Sequence, residues 1–143
     1  MFNVEIAKTT PELDNIIQLR YKVLREPWGK PIESVTDNLE TFSINAYIQL
    51  NGEVIACGRL QENENKIGQI RFMAVDEKHR GNKLGEQILK KLELEAKQLL
   101  ITKIELQARE IAVNFYNKNG YQIIEKSFLL WGQIQHFLMQ KSL

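Results

Sequence analysis

Between an apolar run that ends at Val75 and an amphipathic run that reaches Leu100 stand six residues, Arg80-Gly81-Asn82-Lys83-Leu84-Gly85. A strand that stops, a basic turn flanked by glycines and a fresh helix N-terminus together form an anion site. The first amides of a helix have no partner within it, they point outward, and the helix dipole favours negative charge there. The guest suited to such a site is a phosphate or pyrophosphate, held by backbone N–H groups from Arg80 to Glu86. Arg80 adds charge. Glycine at 81 and 85 leaves room for backbone to approach phosphate where a Cβ would stand in the way. Lys83 either crowds that approach with its Cβ or adds an ammonium beside the phosphates. Taken alone, the pattern also describes an ordinary polar turn before a helix.

The remaining reactive residue types are sparse. Cys57 is the one cysteine, which rules out an intrachain disulfide and a cysteine zinc site, and with only His79 and His136 no histidine-rich metal centre is expected. Cys57 lies in the strand-like VIACGRL and reads as a small buried apolar residue. Neither G-x-G-x-x-G nor G-x-x-x-x-G-K-[ST] occurs. A net charge of +1, with basic residues not clustered among aromatics, argues against nucleic acid as a partner. No run reaches the ~18 apolar residues of a membrane span, and the N-terminus lacks a signal-peptide pattern. A soluble, reducing, cytoplasmic setting is expected. At 143 residues the chain reads as one domain, 1–143, long enough to bury roughly 70% of its unfolded surface.

The elements that must position the turn follow from periodicity and punctuation. Residues 2–8 alternate as a first strand. Thr10-Pro11-Glu12 starts a helix, with Thr10 as its cap, and the helix stops near Arg25 because Pro27 biases Glu26 away from helical backbone. Residues 26–43, with three of their number Pro27, Gly29 and Pro31, are irregular and expected to lie over a pocket, with a short helix at 32–39. INAYIQL and EVIACGRL flank Asn51-Gly52, a strong hairpin signal. A strand at 67–75, a helix from about Asn82 to Leu100, a strand at 103–108, a short helix at 111–119 stopped by Gly120, and strands at 121–130 and 134–140 complete the chain. Glu86/Lys90 and Glu93/Lys97 are spaced as favourable helix pairs. The strand–helix–strand unit across the middle permits a parallel crossover between antiparallel ends.

This order, with the basic turn after the fourth strand and LQAREIAVNFYNKNGY late in the chain, resembles the GCN5-related N-acetyltransferase (GNAT) family along essentially its whole length. The family's turn, Q/R-x-x-G-x-G/A, is met by Arg80 and Gly85, with Lys83 where its first glycine is usual. Its later A-x-x-x-Y-x-x-x-G-F/Y is met by Ala112, Tyr116, Gly120 and Tyr121, and Arg109 stands where many relatives carry asparagine. Within the family the chain looks most like small bacterial acetyltransferases of loosely defined substrate. The resemblance implies an α/β (α+β) architecture, a mixed central sheet of six to seven strands with about four helices, splayed between the fourth and fifth strands.

It also implies acetyl-CoA as donor, no metal, a small-molecule, peptide or protein amine as acceptor, direct attack in a ternary complex, and a homodimer. The pantetheine arm is then expected along the backbone of Met73, Ala74 and Val75, as an added strand, with an N–H there facing the thioester oxygen. Tyr116 becomes the candidate acid for the leaving thiolate, and Asn114 a further contact to the arm. Relatives that use a glutamate base carry it three residues before the Phe72 position; here that residue is Gln69, which leaves Glu105 and His136 as candidates. Glu26, Trp28, Arg71 and His136 are expected on the acceptor side, with Glu33 and Trp131 near them. Arg59 and Arg71, set inside strands, need a partner or water. The alternative reading is a CoA-binding sensor or interaction module without turnover.

Overall fold

The first helix, α1 (Thr10–Leu24), is capped by Thr9, one residue before the expected cap. Thr9, in extended backbone, accepts the Glu12 amide at 3.3 Å, while the Glu12 carboxylate accepts from the Thr9 hydroxyl at 2.8 Å and the Lys8 amide at 3.1 Å. Two amides that the helix leaves free are thereby satisfied. The chain is described from residue 2 to residue 143 by a computed structural model.

Strand β1 (Glu5–Ile6) precedes α1, and strands β2 (Ile44–Leu50), β3 (Glu53–Glu62) and β4 (Ile67–Val75) follow it. Helix α2 (Leu84–Gln98), strand β5 (Lys103–Arg109), helix α3 (Val113–Lys118) and strands β6 (Gln122–Leu130) and β7 (Ile134–Ser142) follow. The expected first strand over 2–8 pairs only at Glu5 and Ile6. Asn51 and Gly52, at φ 53° and 82°, form the two-residue turn that joins β2 to β3. The helix expected at 32–39 is a 3-10 turn at Ile32–Val35, flanked by further turns at Glu26–Trp28 and Glu40–Phe42.

The seven strands form one mixed sheet in the order β1-β2-β3-β4-β5-β7-β6. Only β4 and β5 pair in parallel, through the crossover helix α2; β7, not β6, lies against β5. Helix α2 buries Leu84, Ile88, Leu89, Leu92 and Ala96 on one face of the sheet, against Ile48, Leu60 and Ile104. Helix α1 covers the other face, where Ile16 and Leu19 meet Tyr47, Cys57 and Ala74. Each fully buried aliphatic side chain contributes about 1.5–3 kcal/mol. Burial pushes the Cys57 thiol up to about 12, so it is an inert core residue. Lys90 pairs with Glu86 at 2.9 Å as its spacing predicts, whereas Glu93 turns away from Lys97 to accept from Tyr121 Oη at 2.8 Å and Lys141 Nζ at 3.0 Å.

Two irregularities of β4 shape everything that follows. The β3–β4 ladder slips between Cys57↔Ala74 and Arg59↔Arg71, so that Gly58 alone opposes Phe72 and Met73. Phe72 takes φ +54°, a left-handed conformation unusual for a bulky residue. Strict alternation along β4 would put Gln69, Arg71 and Met73 on one face, and this bulge reverses it: Met73 packs with the α2-side core, whereas Arg71 lies over the Phe72 ring beside Arg20 of α1. A Cβ at Gly58 would sit 2.4 Å from Met73 Sδ and 2.8 Å from Ile88 Cγ2, so α2 and the bulge close directly over bare backbone. The second irregularity is the parting of β4 from β5. Their ladder runs from Ile67↔Lys103 to Ile70↔Leu106 and ends there, although β4 continues to Val75 and β5 to Arg109.

Candidate active site

The parting opens a cleft of about 350 Å³. Its walls are Arg71, Phe72 and Met73 from β4, Gln107 to Arg109 from β5, Tyr116 from α3, Leu24 and Arg25 from the end of α1, and Phe128 and His136 from the last two strands. Four residues singled out from the sequence thus meet here: Arg71, Met73, Tyr116 and His136. Ala74 and Val75 carry β4 onward from the cleft to the basic turn. Asn114 is exposed on α3. Glu26 and Trp28 lie outside the cleft wall, on an exposed 3-10 turn where the Trp28 and Trp131 rings face each other at 6.3 Å. Glu33 and Glu105 are also outside it.

Tyr116 is positioned by aromatic packing, edge-on to Phe115 at 5.0 Å and to Tyr121 at 5.8 Å. Its side chain is almost wholly buried, and its hydroxyl has no hydrogen-bond partner among the described residues. Burial raises its pKa above that of an exposed tyrosine, so it is protonated at neutral pH. A buried phenol that lines a cavity and donates to nothing in the protein can give its proton to a guest.

His136 is buried and stacked on Phe128, with ring centroids 4.4 Å apart and an angle of 11°. Its Nδ1 lies 2.9 Å from the Ile134 carbonyl, an acceptor, so Nδ1 carries the proton and Nε2 is the unprotonated nitrogen of the neutral ring. Burial lowers its pKa, and the nearby charges of Arg109 and Arg25 lower it further, against the Ile134 hydrogen bond. The neutral form therefore prevails at neutral pH. Gln69, where a base would stand in some relatives, is engaged with Asn63 Nδ2 at 3.0 Å and Gln61 Nε2 at 3.4 Å.

The basic turn is exposed from Arg80 to Lys83, and α2 follows at Leu84 with no side chain capping it. The amides of 81–86 have no acceptor among the described residues. Gly81 has φ 86°, a left-handed conformation that a side chain would strain, and open space where its Cβ would be. Lys83 is left-handed too, at φ 60° and ψ 24°, which explains why relatives use glycine there and costs about 1 kcal/mol or more. At Gly85 a Cβ would lie 3.2 Å from Phe115 Cζ, so its bareness also lets α3 pack on the start of α2. Asp76 anchors the turn, accepting from Lys22 Nζ at 3.2 Å and facing His79 Nδ1 at 3.2 Å.

Sequence patterning missed the charged cluster beneath β4. Arg20, wholly buried, donates to both Glu40 carboxylate oxygens at 2.6 and 3.2 Å, to Asn45 Oδ1 at 2.6 Å and to the Val35 carbonyl at 2.8 Å. Arg59 grips Asp37 through both terminal nitrogens at 2.9 and 3.0 Å and reaches Glu40 at 3.2 Å. Arg71 joins the other side of Asp37 at 3.0 Å, and all three guanidinium groups surround the Phe72 ring within 4.6–5.0 Å. Burial alone would raise the Glu40 pKa, but the Arg20 hydrogen bond and charge, Asn45 and Arg59 outweigh it and hold it at about 2. The expectation that Arg59 and Arg71 need partners is met by ion pairs, and Arg71 serves the cleft wall as well. The only signal for this cluster was the strand position of those two arginines. Of the other cations of the cleft, Arg109 stands out in the sequence only as a departure from the family's asparagine, and Arg25 only as the end of α1.

A model of the acetyltransferase (GNAT) family matches residues 11–121. Over 136 residues the chain is 28% identical to the uncharacterized N-acetyltransferase YjcF of Bacillus subtilis (strain 168), covering 95% of this chain and 96% of that relative. Among solved structures, an acyl-CoA N-acyltransferase from Pseudomonas aeruginosa shares the fold with a TM-score of 0.86, at 21% identity over 99% of both chains. An aminoglycoside 6'-N-acetyltransferase complexed with coenzyme A does so with a TM-score of 0.78, at 17% identity over 96% of both. With the matched region spanning the helix α1, the parted strands, the basic turn and Tyr116, this chain belongs to the GNAT acetyltransferase family.

Proposed function

We propose that the protein moves an acetyl group from acetyl-CoA to a primary amine by direct attack within a ternary complex. The observation that carries this reading is the parting of β4 from β5 beside an unpartnered buried phenol. The amides of 81–86, with Arg80 and Lys83 beside them, suit the pyrophosphate of the donor. The free edge of β4 after Ile70 suits an extended chain of amides, taken up as an extra strand along Met73 to Val75. One backbone N–H there serves the thioester oxygen as negative charge develops on it.

In the reaction the amine nitrogen forms a bond to the acetyl carbon, and the carbon–sulfur bond breaks. The sulfur takes its proton from Tyr116 Oη. The nitrogen loses its proton to Nε2 of neutral His136, directly or through water. A thiol titrates near ~8.5, so acid assistance from a phenol near ~10 or above accelerates departure without being indispensable.

Calorimetric titration with CoA tests the first premise: saturable binding at micromolar to millimolar CoA is expected, and absence of heat removes it. Thiol release with amine acceptors tests the second, with an acidic limb below pH 6.5 that His136→Asn abolishes. A CoA-binding module without turnover is the second reading, favoured by Gln69 in place of a glutamate. It requires CoA binding with no thiol release across the acceptor panel.

A further inference from the structure

The acceptor half of the cleft is built from cations without matching anions. Arg25, Arg71 and Arg109 all line it, and no carboxylate does, among the described residues. Asp37 pairs Arg71 from behind, as part of the buried cluster it shares with Arg59. Arg25 and Arg109 have no carboxylate partner among the described residues. Each makes one hydrogen bond, and both go to the same acceptor: Arg25 Nη1 and Arg109 Nη2 lie 3.1 Å from the Leu24 carbonyl at the C-terminus of α1. A helix C-terminus attracts cations, so α1 gathers two guanidinium groups that would otherwise repel. Their remaining N–H groups have no acceptor among the described residues, and both groups are partly withdrawn from water. Arg25 also lies over the Trp131 ring at 5.3 Å, which fixes its plane.

Two rigid, adjacent, half-buried guanidinium groups with spare donors match the planar, two-oxygen geometry of a carboxylate. The same charges disfavour a polycation. We propose that the acceptor is an amine that also carries a carboxylate, an amino acid in chemical class, and that Arg25 and Arg109 hold that carboxylate while the amine faces the thioester. The proposal rests on the acetyltransferase reading and assigns the substrate class of that same site. It gives Arg109 a task at the position where many relatives carry asparagine. Glu26 and Glu33, expected on or near the acceptor side, stand exposed outside the cleft, and the wall itself repels cations.

The test is calorimetric binding of reaction products in the presence of saturating CoA. The N-acetyl derivatives of the common amino acids are each compared with the corresponding N-methylamide, which lacks only the charge. The expected result is that at least one acid binds about tenfold or more tightly than its methylamide, and that Arg109→Gln and Arg25→Gln each erase the difference. No acid outbinding its methylamide overturns the proposal without recourse to any variant, and so does a preference that survives both substitutions. The CoA titration of the same sample keeps the two ideas apart. CoA binding without acid preference removes the amino-acid acceptor alone; failure to bind CoA removes the transferase reading beneath it. Thiol release supplies a second arm, in which a polyamine preferred to every amino acid also refutes the assignment.

Discussion

Arg20 and Arg59 sit under β4 with Glu40 and Asp37 threaded between them, whereas Arg25 and Arg109 sit at the end of α1 with only a peptide carbonyl to share. The residue type is the same and the degree of closure is opposite. In the first region the terminal guanidinium nitrogens are bonded to carboxylate, amide or carbonyl oxygen, and both arginines are wholly buried. Such a network fastens the irregular segment 26–43, which carries both carboxylates, to the sheet. In the second region most donors are unspent. Buried charge that is answered within the chain specifies structure; half-buried charge that is left open is available to a ligand.

The largest expected effect breaks the closed region. Glu40→Ala leaves Arg20 buried and uncompensated, and we expect a loss of about 3–5 kcal/mol in chemical denaturation. Arg109→Gln, the matching change in the open region, is expected to cost about 1 kcal/mol or less. Equal losses would erase the distinction. Acid sharpens it. With its pKa held at about 2 in the folded state, against 4.5 for an unperturbed glutamate, Glu40 contributes stability that is complete above pH 4.5. That stability is lost as pH falls from there toward 2, because the unfolded chain binds the proton first. Wild type should therefore destabilise steeply over that range, and Glu40→Gln should flatten the slope.

The next effect, on chemistry, is that of Tyr116→Phe. Removing the one cleft hydroxyl without a protein partner should lower turnover about 100-fold with CoA affinity little changed. An unchanged rate would reassign Tyr116 to packing against Phe115 and Tyr121. The smallest effect concerns the turn. Lys83→Gly relieves a left-handed lysine and should raise stability by about 0.5–1 kcal/mol. If the ammonium serves the pyrophosphate, the same variant binds CoA more weakly; tighter binding would show that its Cβ had been an obstacle.

Much of the scaffold could be read directly from residue order because its signals are local. Asn51-Gly52 sets a hairpin by itself, Pro27 ends α1, and the apolar run that ends at Val75 reads as a strand. The site was only partly legible, for reasons that are equally physical. Nothing at Phe72 announces a bulge: the left-handed turn there is made by a large aromatic, not by glycine, and without it alternation assigns Met73 to the wrong face. The partners of Arg20 lie 15 to 25 residues away, Val35 and Glu40 in an irregular segment and Asn45 at the start of β2, and no period links them. Nor does any period in that segment separate Asp37 and Glu40, which pair with the buried arginines, from Glu26 and Glu33, which stand exposed. The first cap falls on Thr9 and not Thr10 because two adjacent threonines offer the same hydroxyl, and only the reach of Glu12 decides between them.

Gly58 never touches the cleft, yet α2 rests on its bare backbone through Ile88 and Leu92 while Met73 closes in from the bulge. A methyl group there would act as a shim, tipping the long helix about its middle and swinging its free amides out of line with the end of β4. Damage to the grip on a nucleotide would then arise from the opposite face of the packing, and a search for its cause among residues near that nucleotide would find nothing.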